Sequence, residues 1–183
     1  IYKKLFINYD RSYQIEFVKH FSNYKKIKYF KAFFFYNRGL LNNSSHFLNL
    51  ILMFLEYPKK ILILNKGKLF NKDIQPSIKL IFNNGEVYLF GSKKNNFTKT
   101  KYYFFDGVNR VFSKDNFTKL INYELKKNRY QYKNTVQIKK KNYQTDVYDK
   151  IFNYNIKNSG EKINQSGFKL LVLYKKILSS YNR

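Results

Sequence analysis

Cysteine and tryptophan are absent from the 183 residues, and proline (two), methionine (one), alanine (Ala32 alone) and glycine (seven) are scarce. Without cysteine there is no disulfide scaffold, no thiolate metal site and no thiol nucleophile. Seven glycines leave little material for a phosphate-cradling loop, and neither a glycine-rich nucleotide fingerprint nor a Gly-x-Ser-x-Gly elbow occurs. Acidic residues are also few: Asp+Glu 11 against Lys+Arg 36 gives a formal charge of +25. The longest apolar run, Leu50 to Leu55, falls far short of the roughly 18 to 20 residues a spanning helix requires. The amino terminus carries Asp10 and Glu16 among its lysines, unlike a signal or transit peptide.

What is present is basic and aromatic. Lys, Asn, Ile, Phe and Tyr make up 107 of the 183 residues, and these are the residues of A/T-rich codons. Genomic drift therefore explains much of the preference for Lys over Arg and for Tyr and Phe over Leu and Val. The sign of the charge is not drift, because Asp and Glu also have A/T-rich codons. Aromatic residues at 20% and hydrophobic residues at 44% exclude a disordered chain and support a folded core. A surplus of 25 positive charges destabilises a free protein by self-repulsion, so a polyanion partner is expected.

Hydrophobic periodicity predicts a helix over Arg11–Phe30, with Phe17, Val18, Phe21 and Tyr24 on one side, and a strand over Lys31–Tyr36. The polar patch Asn42-Asn43-Ser44-Ser45 offers N-cap residues for an apolar helix over His46–Tyr57, stopped by Pro58. Strands are expected over Ile61–Leu64, Ser77–Phe82 and Glu86–Phe90. Asn65-Lys66-Gly67 reads as a turn, and Asn83-Asn84-Gly85 as a hairpin signal. A basic loop over Gly91–Lys101 precedes a strand over Lys101–Phe105. A short helix is expected over Phe117–Leu125, a strand over Thr135–Ile138, a helix over Val147–Tyr154 and a final strand over Phe168–Tyr174. The sum is one compact, two-lobed α+β unit. Residues 1–91 form an N-terminal α-β-α-β-β lobe, and residues 92–183 a mostly β RNA-binding lobe with one late helix.

No constellation for catalysis stands out. His20 and His46 read as surface or cap histidines, Asp146 and Asp149 as helix-start residues, and Ser44-Ser45 as a cap rather than a nucleophile. Neither a metal site nor a cofactor is expected. Candidate contacts to nucleic acid lie in three clusters: Lys93, Lys94, Asn95, Thr98, Lys99 and Lys101; Lys139, Lys140, Lys141, Asn142 and Tyr143; and Lys25, Lys26 and Lys28. Lysines neutralise phosphates, while amides, hydroxyls and aromatic rings reach 2′-hydroxyls and unpaired bases.

The element order and three stretches resemble the eighth protein of the small ribosomal subunit. Asn43-Ser44-Ser45-His46-Phe47 through Leu55 is similar to that family's capped apolar helix. Lys101-Tyr102-Tyr103 keeps its basic-x-Tyr ending, and Lys141 with Thr145-Asp146 matches its Ser-rich RNA-binding loop. The resemblance implies a structural constituent of a ribosome that binds rRNA beside neighbouring ribosomal proteins, with no turnover and no small-molecule substrate. With the drifted composition it implies an organelle-encoded protein of the mitochondrial matrix. Two alternatives stand beside it. Leu64 to Gly91 is similar to the early strands of the sixth large-subunit ribosomal protein, and a basic accessory subunit of an organellar membrane complex would also fit the charge.

Overall fold

The computed structural model describes residues 15–70, 72–92, 101–114, 118–138 and 157–182. Helix α1 (Ile15–Ser22) runs into a 3₁₀ turn (Asn23–Lys26) and then strand β1 (Phe30–Tyr36). A wide π-type turn (Leu40–Ser44) leads directly into α2 (Ser45–Phe54). Seven strands follow: β2 (Lys60–Phe70), β3 (Asp73–Phe82), β4 (Gly85–Gly91), β5 (Lys101–Phe105), β6 (Asn109–Lys114), β7 (Lys119–Lys126) and β8 (Arg129–Gln137). A long helix, α3 (Lys157–Tyr181), closes the order.

All eight strands lie in one sheet of order β2-β3-β4-β1-β5-β6-β7-β8. β1 is central, parallel to β4 and antiparallel to β5, and every other pairing is antiparallel. The α+β, two-lobed architecture read from the sequence is what is seen: a helix-covered α-β-α-β-β half, a mostly β half, and one late helix. Alternation along β1 explains the layering. Phe30, Ala32, Phe34 and Tyr36 face the helices and are buried, while Lys31, Phe33 and Phe35 face the other way.

The core is an aromatic stack on the helix side. Phe34 meets Phe47 of α2 at 5.1 Å and Tyr102 of β5 at 4.8 Å between ring centroids, and Phe21 of α1 packs on both Phe34 and Tyr102. Each such ring contributes roughly 1.5–3 kcal/mol by leaving water. Leu170, Leu173 and Ile177 of α3 complete the cluster. Buried Asn49 of α2 donates to the Ser166 hydroxyl of α3 at 2.8 Å, which fixes the register of the two helices.

Four sequence readings are corrected. The first helix ends early: the Asn84 amide donates to the carbonyls of Tyr24 (2.7 Å) and Ile27 (3.0 Å), so a tertiary contact terminates the turn and releases β1. Most of Phe117–Leu125 is strand, because residues 119–126 hydrogen-bond to β6 on one edge and β8 on the other. Phe168–Tyr174 is helix, with buried Leu170 and Leu173 three apart and Phe168 and Leu171 left in solvent. Asn65-Lys66-Gly67 is an irregularity inside β2, where the Asn65 side chain accepts from the Gly67 N–H. The helix expected over Val147–Tyr154 lies outside the described residues.

A polar chain crosses the aromatic core. The Tyr102 hydroxyl bonds His20 Nε2 at 2.6 Å, and Tyr24 and Tyr102 bond each other through their hydroxyls. Desolvation lowers the His20 pKa from 6.5 to about 4, against a smaller opposing pull from Asp106. The imidazole is therefore neutral and accepts from Tyr102, which in turn accepts from Tyr24. Because the folded value lies below the unfolded one, the unfolded chain takes up a proton first, and stability is lost as pH falls from 6.5 to about 4. The expected loss is roughly 1–3 kcal/mol across that window. Urea titrations at pH 7 and pH 4.5 should show it, and His20→Phe should flatten that part of the profile.

Candidate functional site

The site is built around the turn that follows the central strand. After Tyr36 the chain reverses through Arg38 (φ 62°) and Gly39 (φ 88°), two successive residues at positive φ. Only glycine fits at 39, since a Cβ there would collide with the Asp73 carboxylate. Arg38 takes the left-handed region as an ordinary side-chain-bearing residue, a conformation that persists only where surroundings impose it.

Strand β3 is the imposing element. Asp73 Oδ2 accepts from the Leu41 and Asn42 amides at 2.9 and 3.0 Å, and Gln75 Oε1 accepts from Gly39 N at 3.0 Å. Gln75 Nε2 donates to the Ser92 carbonyl at 2.5 Å, Ser92 N donates to the Tyr36 carbonyl at 2.9 Å, and Tyr36 OH donates to the Pro76 carbonyl at 2.6 Å. Asn43 Nδ2 donates to Asn37 Oδ1 at 3.0 Å across the turn. Three segments, residues 36–46, 73–76 and 91–92, are thereby tied into one rigid end of the sheet.

The capping chemistry differs from the sequence reading. Ser44 makes no cap; its hydroxyl donates back to the Leu40 carbonyl at 2.5 Å, the bond that sustains the wide turn. The first free amides of this helical segment are instead taken by Asp73, a carboxylate at the positive end of the helix. Tyr174 of α3 donates to the other Asp73 oxygen at 3.3 Å, and desolvation first, then Asp73, raises the Tyr174 pKa to about 12. Tyr36 is also pushed upward, by burial first and by Asp73 second.

His46 stands in the first turn of α2, half-buried, with Nδ1 turned away from solvent. Asn42 is exposed beside it in sequence and Asn43 is half-buried. The arrangement sets an imidazole and two amides on a turn with no freedom to relax, at the end of a sheet. An imidazole so placed can exchange a proton with a hydroxyl, and the amides can hydrogen-bond neighbouring hydroxyls. Among the described residues no group of three or more His, Asp or Glu side chains could hold a metal ion.

The lysine clusters do not converge on this turn. Lys25 and Lys26 lie in the 3₁₀ turn and Lys28 is exposed after it. Lys25 lines a cavity of about 460 Å³ with Asn83, Asn84 and Lys169 at the opposite end of β1. Lys101 begins β5, opposite Phe35, in a notch of about 230 Å³. Lys93, Lys94, Asn95, Thr98 and Lys99, and the run Lys139, Lys140, Lys141, Asn142 and Tyr143, lie outside the described residues. Sequence reasoning missed Asp73 and the Arg38–Gly39 pair. The usable signal was Asn37-Arg38-Gly39 between an aromatic strand and a helix, where glycine marks a backbone reversal.

No family model and no curated protein sequence matches the chain. Solved structures match its fold. Against an aldose-aldose oxidoreductase from Caulobacter crescentus, complexed with glycerol, the TM-score is 0.70 at 12% identity, covering 98% of this chain and 62% of that one. A dehydrogenase from Clostridium difficile gives 0.59 at 14% identity, over 96% and 62%. UDP-N-acetylglucosamine 3-dehydrogenase from Acidithiobacillus ferrooxidans gives 0.59 at 13% identity, over 89% and 57%. The chain spans about three fifths of the length of these proteins. Its fold is similar to that of Gfo/Idh/MocA-type oxidoreductases.

This finding overturns the ribosomal reading. The resemblance to the eighth small-subunit protein rested on short stretches, and the final strand expected over Phe168–Tyr174 is part of helix α3. The expectations of a ribosomal constituent, of rRNA and ribosomal proteins as partners, of no small-molecule substrate and of a non-enzyme fall together, because these three fold neighbours are oxidoreductases. The sixth large-subunit family and the membrane-complex subunit find no support either.

The Asp73 clasp makes a direct test of the geometry. Asp73→Ala removes two charge-assisted bonds and is expected to cost about 2–4 kcal/mol, seen as a drop of several degrees in thermal midpoint. Asp73→Asn keeps an acceptor oxygen and should cost less. Equal loss for both would show that the carboxylate charge alone matters.

Proposed function

We propose that this chain is the substrate-side part of an oxidoreductase acting on a sugar or polyol hydroxyl. The observation that carries the reading is His46, set in the first turn of α2 behind a turn locked by Asp73 and Gln75. The fold neighbours support it: one oxidises or reduces aldoses and holds glycerol, and another is a dehydrogenase of UDP-N-acetylglucosamine. His46 would take up or return the proton of the reacting hydroxyl, while Asn42 and Asn43 would orient the hydroxyls next to it.

The fold type implies a nicotinamide dinucleotide, and the residues present do not fit one. Its pyrophosphate needs free amides at a helix N-terminus and a glycine-rich loop. Here the Leu41 and Asn42 amides are already held by a carboxylate, which would repel phosphate, and the sequence has no glycine-rich fingerprint. On this reading the hydride partner is bound outside these 183 residues, and this chain's share is recognition and proton handling.

Binding rather than turnover therefore tests the proposal. Nuclear magnetic resonance titration with glycerol, aldoses and a UDP-sugar should move the His46 ring and Asn42 and Asn43 amide signals. His46→Gln should weaken the tightest of these ligands about tenfold with an unchanged thermal midpoint, of the order lost with one hydrogen bond to a charged or strongly polar partner. No shift at these residues with any of the hydroxy compounds would overturn the reading.

A further inference from the structure

At the end of the sheet opposite the Asp73 clasp, a cavity of about 460 Å³ opens beside the β3–β4 hairpin. Its size falls within the range of about 300–1,000 Å³ typical of small-molecule sites. Met53, Phe54 and Leu55 at the end of α2, with Phe82 at the end of β3, supply its apolar lining. Charges of both signs line the same cavity: Lys25 of the 3₁₀ turn, Lys169 of α3, and Glu56 just past α2. Among the described residues neither lysine forms an ion pair with Glu56 or with any other carboxylate.

Hydrogen bonds keep these charges in place. The Asn83 amide donates to Glu56 Oε2 at 3.0 Å. Neighbouring Asn84 donates to the carbonyls of Tyr24 and Ile27, on either side of Lys25. Lys169 is half-buried and lies one turn beyond Ser166, whose hydroxyl accepts from the Asn49 amide. Opposite charges that face one cavity without pairing leave room for a ligand that carries both.

We propose that this cavity binds a small zwitterion with an apolar body, namely a free apolar α-amino acid. The carboxylate sits between Lys25 and Lys169, the ammonium meets Glu56, and the side chain rests on Met53, Phe54 and Phe82. The mixed lining selects this class. A simple anion would meet Glu56 and the C-terminal end of α2, where a helix carries partial negative charge. A simple cation would meet two lysines in a chain of charge +25. A zwitterion leaves neither sign uncompensated, and its apolar body gains by leaving water. The cavity shares no residue with the turn that carries His46, so it stands or falls apart from the function proposed above.

Met53 is the chain's one methionine, so isotopic labelling of the methionine methyl group reports on this cavity through a single resonance. Phenylalanine is titrated over roughly 0.1–20 mM, around the dissociation constant on the order of 1 mM expected of so small a ligand. The expected result is a saturable shift of the Met53 signal. Phenylpropionate lacks the ammonium and phenethylamine the carboxylate, and each should bind at least about fivefold more weakly. Glu56→Gln and Lys169→Gln should each weaken phenylalanine binding about threefold to tenfold, with an unchanged circular-dichroism spectrum. If Lys169→Gln fails to fold, Lys25→Gln decides, since that side chain is exposed. Lys127→Gln, at the β7–β8 hairpin on the other half of the sheet, should change nothing. A Met53 signal that does not move overturns the proposal. So does phenylpropionate or phenethylamine binding as tightly as phenylalanine, which would reduce the site to a patch of one sign. Affinity untouched by the cavity substitutions, or lowered equally by Lys127→Gln, overturns it as well.

Discussion

One carboxylate holds one end of the sheet together. Asp73 reaches from the first residue of β3 to two amides of the turn after β1 and receives the Tyr174 hydroxyl from α3. Three parts of the chain far apart in sequence meet on its two oxygens. The turn carrying Arg38 and Gly39 and the wide helical turn after it are held between that clasp and Gln75. A strained loop without such a partner would relax.

The same economy governs the interior. Ten of the 28 buried core residues are Phe or Tyr, and flat rings tile in few ways. Here the tiling is settled by hydroxyls. Tyr24, Tyr102 and His20 form one hydrogen-bonded line through the stack, and Asn49 with Ser166 forms another between α2 and α3. Buried polar links of this kind give direction to packing that ring contacts leave loosely specified.

Much of the fold was legible in the sequence where local signals and tertiary context agree. The alternation of Lys31 to Tyr36, the Asn83-Asn84-Gly85 hairpin and the apolar helix before Pro58 all appear close to where the residues place them. Reading failed where the two conflict. In Phe168–Tyr174 nearly every residue is apolar, so the helical stripe of Leu170, Leu173 and Ile177 was hidden by exposed Phe168, Leu171 and Val172. In Phe117–Leu125 pairing on both edges outweighed a weak helical pattern. The site was the least legible part. His46 is an ordinary helix histidine on sequence alone, and its partner element, Asp73, is brought to the turn only by the order of strands in the sheet. The basic composition pointed to an rRNA partner, whereas the fold neighbours are oxidoreductases.

The central position of β1 also sets a schedule. Its parallel partner begins with Gly85, opposite Phe30, and its antiparallel partner Tyr102 lies opposite Phe34. The most aromatic strand in the chain is thus made long before either neighbour, and it waits with Phe33, Phe34 and Phe35 unpaired while some fifty to seventy residues are added. Loop closure over such distances is slow, and an unpaired aromatic strand is an invitation to mispairing. The cost of setting this turn after the central strand is that the supporting strand precedes both of its partners in the chain and is among the last to be secured.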